Sequence, residues 1–132
     1  MLDRSLSLTL VIRNLTRQTT VADRAILANT SATRRTGLLK HESLQDGEGL
    51  LIVPCEGVHT FGMKFPIDVL YLNKKRVVLK IKPEMPRRRM SFCLSAHSVL
   101  ELPAGMAART GTVVGDQLEV EKVEKGQETA SA

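Results

Sequence analysis

The chain has 132 residues, of which 42% are hydrophobic, 25% are charged and 3% are aromatic, and its formal net charge is +5. This length fits one domain, and no apolar run approaches the roughly 18 residues of a membrane span. Because aromatic residues are scarce, the composition disfavours a stacking platform for single-stranded nucleic acid.

The first residues carry Asp3 and Arg4 and then alternate apolar with polar side chains. A signal peptide needs a continuous apolar segment, so we expect a cytoplasmic protein. Cys55 and Cys93 are too few for a disulfide framework, and we expect two free thiols.

Strand-like alternation opens the chain in "SLSLTLVIR", where the apolar face holds Leu6, Leu8, Leu10 and Ile12. A less regular stretch, 22–28, continues the sheet after a polar turn. Thr30 or Ser31 then predicts the N-cap of a short helix that ends between Gly37 and His41.

Short strands dominate the middle of the chain. An apolar strand at 50–53 breaks at Pro54, and strands at 58–65 and 66–73 are divided by Pro66. The turn at Asn73 leads into 76–82, so residues 67–82 are typical of a hairpin. Residues 83–91 form a proline-bounded basic loop that contains three consecutive arginines.

The last third predicts a strand at 98–103, a short helix at 104–111 closed by Gly111, and a strand at 115–123. The fold class expected is mainly β: a compact β-sandwich or barrel of six to seven short strands with two short helices. We expect one domain over residues 1–124 and a polar tail over 125–132.

A thiol, an imidazole and a thioether recur at intervals of four residues at Cys55, His59 and Met63. These are the ligand types of soft-metal and copper sites. On a strand over 58–63, His59, Phe61 and Met63 would share one face. The opposing interpretation assigns Cys55 and Met63 to packing and His59 to a hydrogen bond.

Two carboxylates lie within apolar strands, Asp68 and Glu101. A buried carboxylate must be paired or capped, and two that converge can act as acid and base. Lys64 is the nearest basic neighbour of Asp68 in the sequence. Arg34 and Arg35 on the first helix are further partners, since arginine binds carboxylates bidentately.

The common catalytic motifs are missing from the sequence, including nucleophile elbows, phosphate-binding glycine loops and zinc-binding His-Glu-x-x-His. The sequence therefore favours a protein without catalytic activity, and it predicts no cofactor.

Four stretches, "RTGLLKHESL", "GEGLLIV", "HTFGMKFPIDVLYLN" and "VLELPAGMAARTGTVVGD", occur in this order between about residues 30 and 120. Together they resemble domain-of-unknown-function family 192, in the branch with His-Thr-Phe-Gly-Met. The resemblance implies a compact β-rich domain without an established activity. Its motif positions correspond here to Gly37, Leu38, Gly49, Met63, Pro66, Asp68, Leu100, Glu101, Leu102, Gly105, Gly115 and Asp116. The sequence departs from the family at Asn73 and Leu39.

The first hypothesis is a noncatalytic module that binds a small ligand or a protein. Its candidate residues are His59, Met63, Lys64, Asp68 and Glu101, with Arg34 and Arg35 at the rim. A second hypothesis is a soft-metal (copper or zinc) or redox protein that uses Cys55, His59 and Met63. A third is a hydrolase that uses Asp68 and Glu101.

Overall fold

The structure, a computed structural model, describes residues 8–124. It contains nine strands and two short helices, in the order β1 Leu8–Asn14, β2 Thr19–Ala28, α1 Ser31–Thr36, β3 Glu48–Ile52, β4 Gly57–His59, β5 Ile67–Leu72, β6 Val78–Met85, β7 Met90–Phe92, β8 Ser98–Pro103, α2 Met106–Arg109 and β9 Leu118–Glu124. None of the helices between residues 8 and 124 is long and apolar enough to cross a membrane.

Seven strands form one sheet in the order β6-β5-β8-β3-β2-β1-β9. All neighbours are antiparallel except β2 and β3, which run parallel and are connected through α1. The two edge strands approach each other at a bridge between Val77 and Gln117, where Val78 N–H donates to Asp116 O. The sheet is therefore curled, and it does not close along its length.

Both faces of the sheet are covered by apolar side chains. Strands β5 and β8 are buried at all six of their positions, so alternate residues feed two clusters. The inner cluster includes Leu10, Ile12, Leu51, Leu70, Leu72, Leu100 and Leu102. The outer cluster includes Leu38, Leu50, Ile52, Met63, Val69, Tyr71 and Val99.

A second layer covers the outer cluster. Strands β4 and β7 pair antiparallel as a separate two-stranded ribbon. Val58 of this ribbon packs against the outer cluster, and its partner Ser91 is buried. Helix α1 is capped at its N-terminus by Thr30, whose side chain accepts from Thr33 N–H in a capping box, and Leu38 after the helix enters the same cluster.

The mainly β fold is confirmed, but residues 8–124 contain nine strands instead of six or seven. The predicted strand at 58–65 is wrong, because β4 ends at His59 and a turn follows. The predicted basic loop at 83–91 is also too long, since β6 continues to Met85 and β7 begins at Met90. Leu6 and the tail at 125–132 lie outside the described residues.

Asp68 ties three segments together. Its carboxylate accepts hydrogen bonds from the backbone N–H groups of Glu84 at 2.7 Å, Gly105 at 3.0 Å and Ala107 at 2.7 Å. The last two groups lie at the start of α2, so a side chain from β5 caps this helix. The fully buried Asp68 is thereby provided with charge-assisted partners.

We predict that Asp68→Asn lowers the free energy of unfolding by about 3 kcal/mol. The amide places an NH₂ group where a carboxylate oxygen accepts an N–H, so at least one buried N–H loses its partner. Urea denaturation measures the difference. The matched control Asp23→Asn lies on the exposed surface and should change stability by less than about 0.5 kcal/mol. An Asp68→Asn variant as stable as the control would contradict the capping role.

Candidate functional site

A cleft of about 90 Å³ opens on the outer face of the sheet, between α1 and the β4–β7 ribbon. We call it the Glu101 cleft. Six of the residues singled out in the sequence line it: Arg34, Arg35, Cys55, His59, Met63 and Glu101. Its apolar walls include Leu38, Leu39, Ile52 and Val58. The cleft thus combines a buried carboxyl group, two guanidinium groups and an apolar lining.

Glu101 lies on the central strand β8, opposite Leu50 of β3 and Val69 of β5. These pairings direct its side chain to the outer face. Glu101 is only 6% exposed, and no group within residues 8–124 makes a hydrogen bond to its carboxyl group. Burial raises the pKa of Glu101 from 4.5 to about 7, since the charged form loses its hydration.

The two arginines come from α1. The Arg34 guanidinium donates to the carbonyl oxygens of Thr30 and Pro54, each at 3.3 Å. The suggested salt bridges from Arg34 or Arg35 to Asp68 or Glu101 are absent from residues 8–124. The carbonyl partners of Arg34 are neutral, and neither arginine forms an ion pair within the described residues, so both guanidinium groups are available to an anionic ligand.

Cys55, His59 and Met63 line the same cleft but differ in their surroundings. The Cys55 thiol donates to Gly57 O at 3.1 Å, and burial raises its pKa, so the thiol stays protonated at neutral pH. His59 is exposed and Met63 is buried, so the predicted common strand face does not exist. In the described part of the chain, no three His, Cys, Asp or Glu side chains group as metal ligands.

Lys64 and Asp68 are not part of the cleft. Lys64 pairs with Glu42 on the surface. Asp68 is opposite Leu102, whereas the next residue, Val69, is opposite Glu101. Because successive side chains of a strand point to opposite faces, Asp68 and Glu101 lie on opposite sides of the sheet. The pair of carboxylates required by the hydrolase hypothesis is therefore not assembled.

The sequence did not predict the apolar walls of the cleft. Ile52 and Val58 lie in strand-like stretches, where apolar residues are typical of a core, and Leu39 follows a helix end. No local pattern separates a side chain that lines a cleft from one that fills an interior. The only available signal was the resemblance, whose motif includes the neighbouring Gly37 and Leu38.

The model of DUF192, described as Uncharacterized ACR, matches residues 12–120. The chain belongs to this family. Two solved structures are similar to this family member, and neither indicates an activity. A protein of unknown function from Novosphingobium aromaticivorans has 25% identity and a TM-score of 0.73, with 83% of this chain and 82% of that chain covered.

The second structure, from Sinorhizobium meliloti, is of a protein proposed to be a transcription regulator. It has 21% identity and a TM-score of 0.74, with 84% of this chain and 91% of that chain covered. At this identity the likeness shows the fold alone. No curated protein matches this member of DUF192.

The Glu101 carboxyl predicts a pH-dependent stability. Between pH 4.5 and 7 the native state binds more protons than the unfolded state, so stability falls as the pH rises. From pH 5 to pH 8 we expect a loss of about 2 to 3 kcal/mol from this group. Glu101→Gln should remove this loss and be the more stable protein at pH 8.

Urea unfolding of both proteins at pH 5, 6, 7 and 8 measures this difference. Glu124→Gln is the control, because Glu124 is exposed on β9. A Glu101→Gln variant with the same pH slope as the wild type would show that Glu101 titrates normally.

Proposed function

We propose that the protein is a noncatalytic module that binds a small polar molecule in the Glu101 cleft. The observation that carries the proposal is the unpaired Glu101 carboxyl at the bottom of a cleft with two arginines. An unpartnered buried carboxyl costs stability, and a ligand that donates a hydrogen bond or carries a positive charge offsets that cost. Such a group is typical of a binding site, where stability is given up for recognition.

The chemistry of the cleft indicates the class of ligand. Glu101 favours an ammonium or hydroxyl group, whereas Arg34 and Arg35 favour a carboxylate or another anion. Leu38, Val58 and the other apolar side chains favour a short hydrocarbon segment between these groups. A small molecule with opposite charges at its two ends therefore fits best.

Two features argue against covalent catalysis in this cleft. The Cys55 thiol is protonated at neutral pH and donates to a carbonyl oxygen, so it is a poor nucleophile. The second carboxylate, Asp68, is on the opposite face of the sheet and is already occupied by three N–H groups. A binding role requires neither a nucleophile nor a second carboxylate.

The proposal predicts saturable binding of ω-amino acids, for which glycine, 3-aminopropanoate and 4-aminobutyrate serve as probes of increasing length. Two-dimensional NMR titrations should show shifts at the cleft residues with at least one probe. Because the ligand ammonium pairs with ionised Glu101, affinity should increase about tenfold from pH 6 to pH 8.

Acetate and ethylammonium, which each carry one end of the probe, should bind much more weakly. Glu101→Gln and the double variant Arg34→Gln/Arg35→Gln should each lose at least about tenfold in affinity, whereas Glu124→Gln should bind as the wild type does. Absence of saturable binding throughout the series would refute this class of ligand, and binding that survives in Glu101→Gln would refute the site.

Soft-metal binding is the second candidate, because Cys55, His59 and Met63 line one cleft. Zn(II) and Cu(I) titrations of the reduced protein, with Cys55→Ser and His59→Ala beside the wild type, separate the two functions. We expect weak binding that is equal in all three proteins, since no three His, Cys, Asp or Glu side chains of residues 8–124 group as metal ligands and burial of Cys55 disfavours its thiolate. Stoichiometric Cu(I) binding that is lost in both variants would replace the small-molecule proposal by a metal site.

A further inference from the structure

The outer side of the β4–β7 ribbon exposes a group of large apolar side chains. Leu94 is 78% exposed, Met90 59%, Phe92 54% and Phe61 49%. These four are half of the eight large hydrophobic residues that are exposed within residues 8–124. Single exposed apolar residues are ordinary on a protein surface, but these four lie on β7 or within two residues of the end of a ribbon strand, and such a group indicates an interaction surface. We call it the ribbon patch.

The ribbon holds these side chains outward. Met90 and Phe92 lie two residues apart on β7 and share one face, whereas Ser91 between them is buried on the other. Phe92 lies over Gly57, where an added Cβ would come within 2.6 Å of the ring. Lys80 Nζ donates to Phe92 O at 2.7 Å and thereby attaches β7 to β6.

Three consecutive arginines adjoin the patch. Arg87, Arg88 and Arg89 precede β7 directly, all three are exposed, and none forms an ion pair within the described residues. Two glutamates are near: Glu84 precedes the loop in the chain, and Glu56 O accepts a hydrogen bond from Cys93 N–H just after β7. Three arginines against two glutamates leave the surface net positive.

The arginine loop has a defined shape. The Thr60 hydroxyl, which is buried, donates to Pro86 O at 2.6 Å and accepts from Arg89 N–H at 2.9 Å. Arg88 adopts a left-handed backbone conformation with φ of 64°. Since the loop is anchored beside the turn that carries Phe61 and leads directly into β7, the positive and apolar parts are neighbours.

We infer that the ribbon patch docks on an anionic lipid bilayer, with the arginines at the phosphate level and the apolar side chains inserted into the interface. Side chains that expose about half or more of their surface can themselves enter an apolar phase, and a neighbouring basic cluster adds electrostatic attraction. Two of the four, Met90 and Leu94, are aliphatic and give no flat ring for base stacking, so the surface fits lipid better than single-stranded nucleic acid. This inference does not depend on the Glu101 cleft.

Sedimentation with sonicated vesicles tests the inference on the full chain. Vesicles of phosphatidylcholine with 30% phosphatidylserine should bind the protein, and vesicles of phosphatidylcholine alone should bind it far more weakly. Neutralising all three arginines (Arg87→Gln, Arg88→Gln, Arg89→Gln) should weaken binding about a hundredfold, at roughly fivefold for each charge.

Two further variants separate the apolar contribution from net charge. Met90→Ser with Leu94→Ser should weaken binding at least about tenfold, because less apolar surface enters the interface. The control Arg13→Gln/Lys40→Gln/Lys122→Gln removes the same charge from exposed positions elsewhere and should bind as the wild type does. Circular dichroism and thermal unfolding verify that each variant is folded.

Three results would overturn the inference. If the control variant at Arg13, Lys40 and Lys122 lost as much vesicle binding as the Arg87–Arg89 variant, the binding would depend on net charge alone and not on the ribbon patch. Full competition by a single-stranded oligonucleotide, with binding to it lost in the Arg87–Arg89 variant, would make the patch a nucleic-acid surface. Displacement by inorganic phosphate beyond that by chloride at equal ionic strength would indicate a site for free phosphate and not for a bilayer.

Discussion

Complete burial of the central strand β8 is the constraint on which the rest of the structure depends. β8 lies between β5 and β3, all six of its residues are buried, and its apolar side chains enter both clusters. A polar side chain placed in this strand or in β5 has little access to bulk water. It must find partners within the protein, or it remains unsatisfied.

The two buried carboxylates show both outcomes of this constraint. Asp68 on β5 receives three backbone N–H groups and fixes the start of α2 against the sheet. Glu101 on β8, on the opposite face, receives none within residues 8–124, and burial alone raises its pKa to about 7. A buried carboxyl group is thus a structural cap on one face and an unpartnered acid on the other, because the groups available to pair with it differ.

The two faces of the β4–β7 ribbon have different surroundings. Its inner side, with Val58 and Ser91, covers the outer cluster and forms a wall of the Glu101 cleft. Its outer side, with Met90 and Phe92, has no further layer in the described structure. A two-stranded ribbon has two faces, so covering a core with one of them leaves the other to solvent or to a partner.

The sequence by itself determined much of the local structure, although it failed at residues 58–65 and 83–91. Alternation predicted β1, the pair Thr30 and Ser31 predicted the start of α1, and the hairpin of β5 and β6 followed from Asn73 and the flanking apolar residues. These features depend on neighbours within about ten residues, so their hydrophobic period and turn residues can be recognised in a single sequence. The stretches quoted for the family resemblance likewise needed no structure.

Only the tertiary structure decided which of the candidate residues meet. Asp68 and Glu101 looked alike in the sequence, and the register of β5 against β8 separated them. Arg34, Cys55 and Glu101 are far apart in the chain, and the packing of α1 and the ribbon over β8 brought them to one cleft. Strand register and layer packing arise from long-range pairing, which no local pattern specifies.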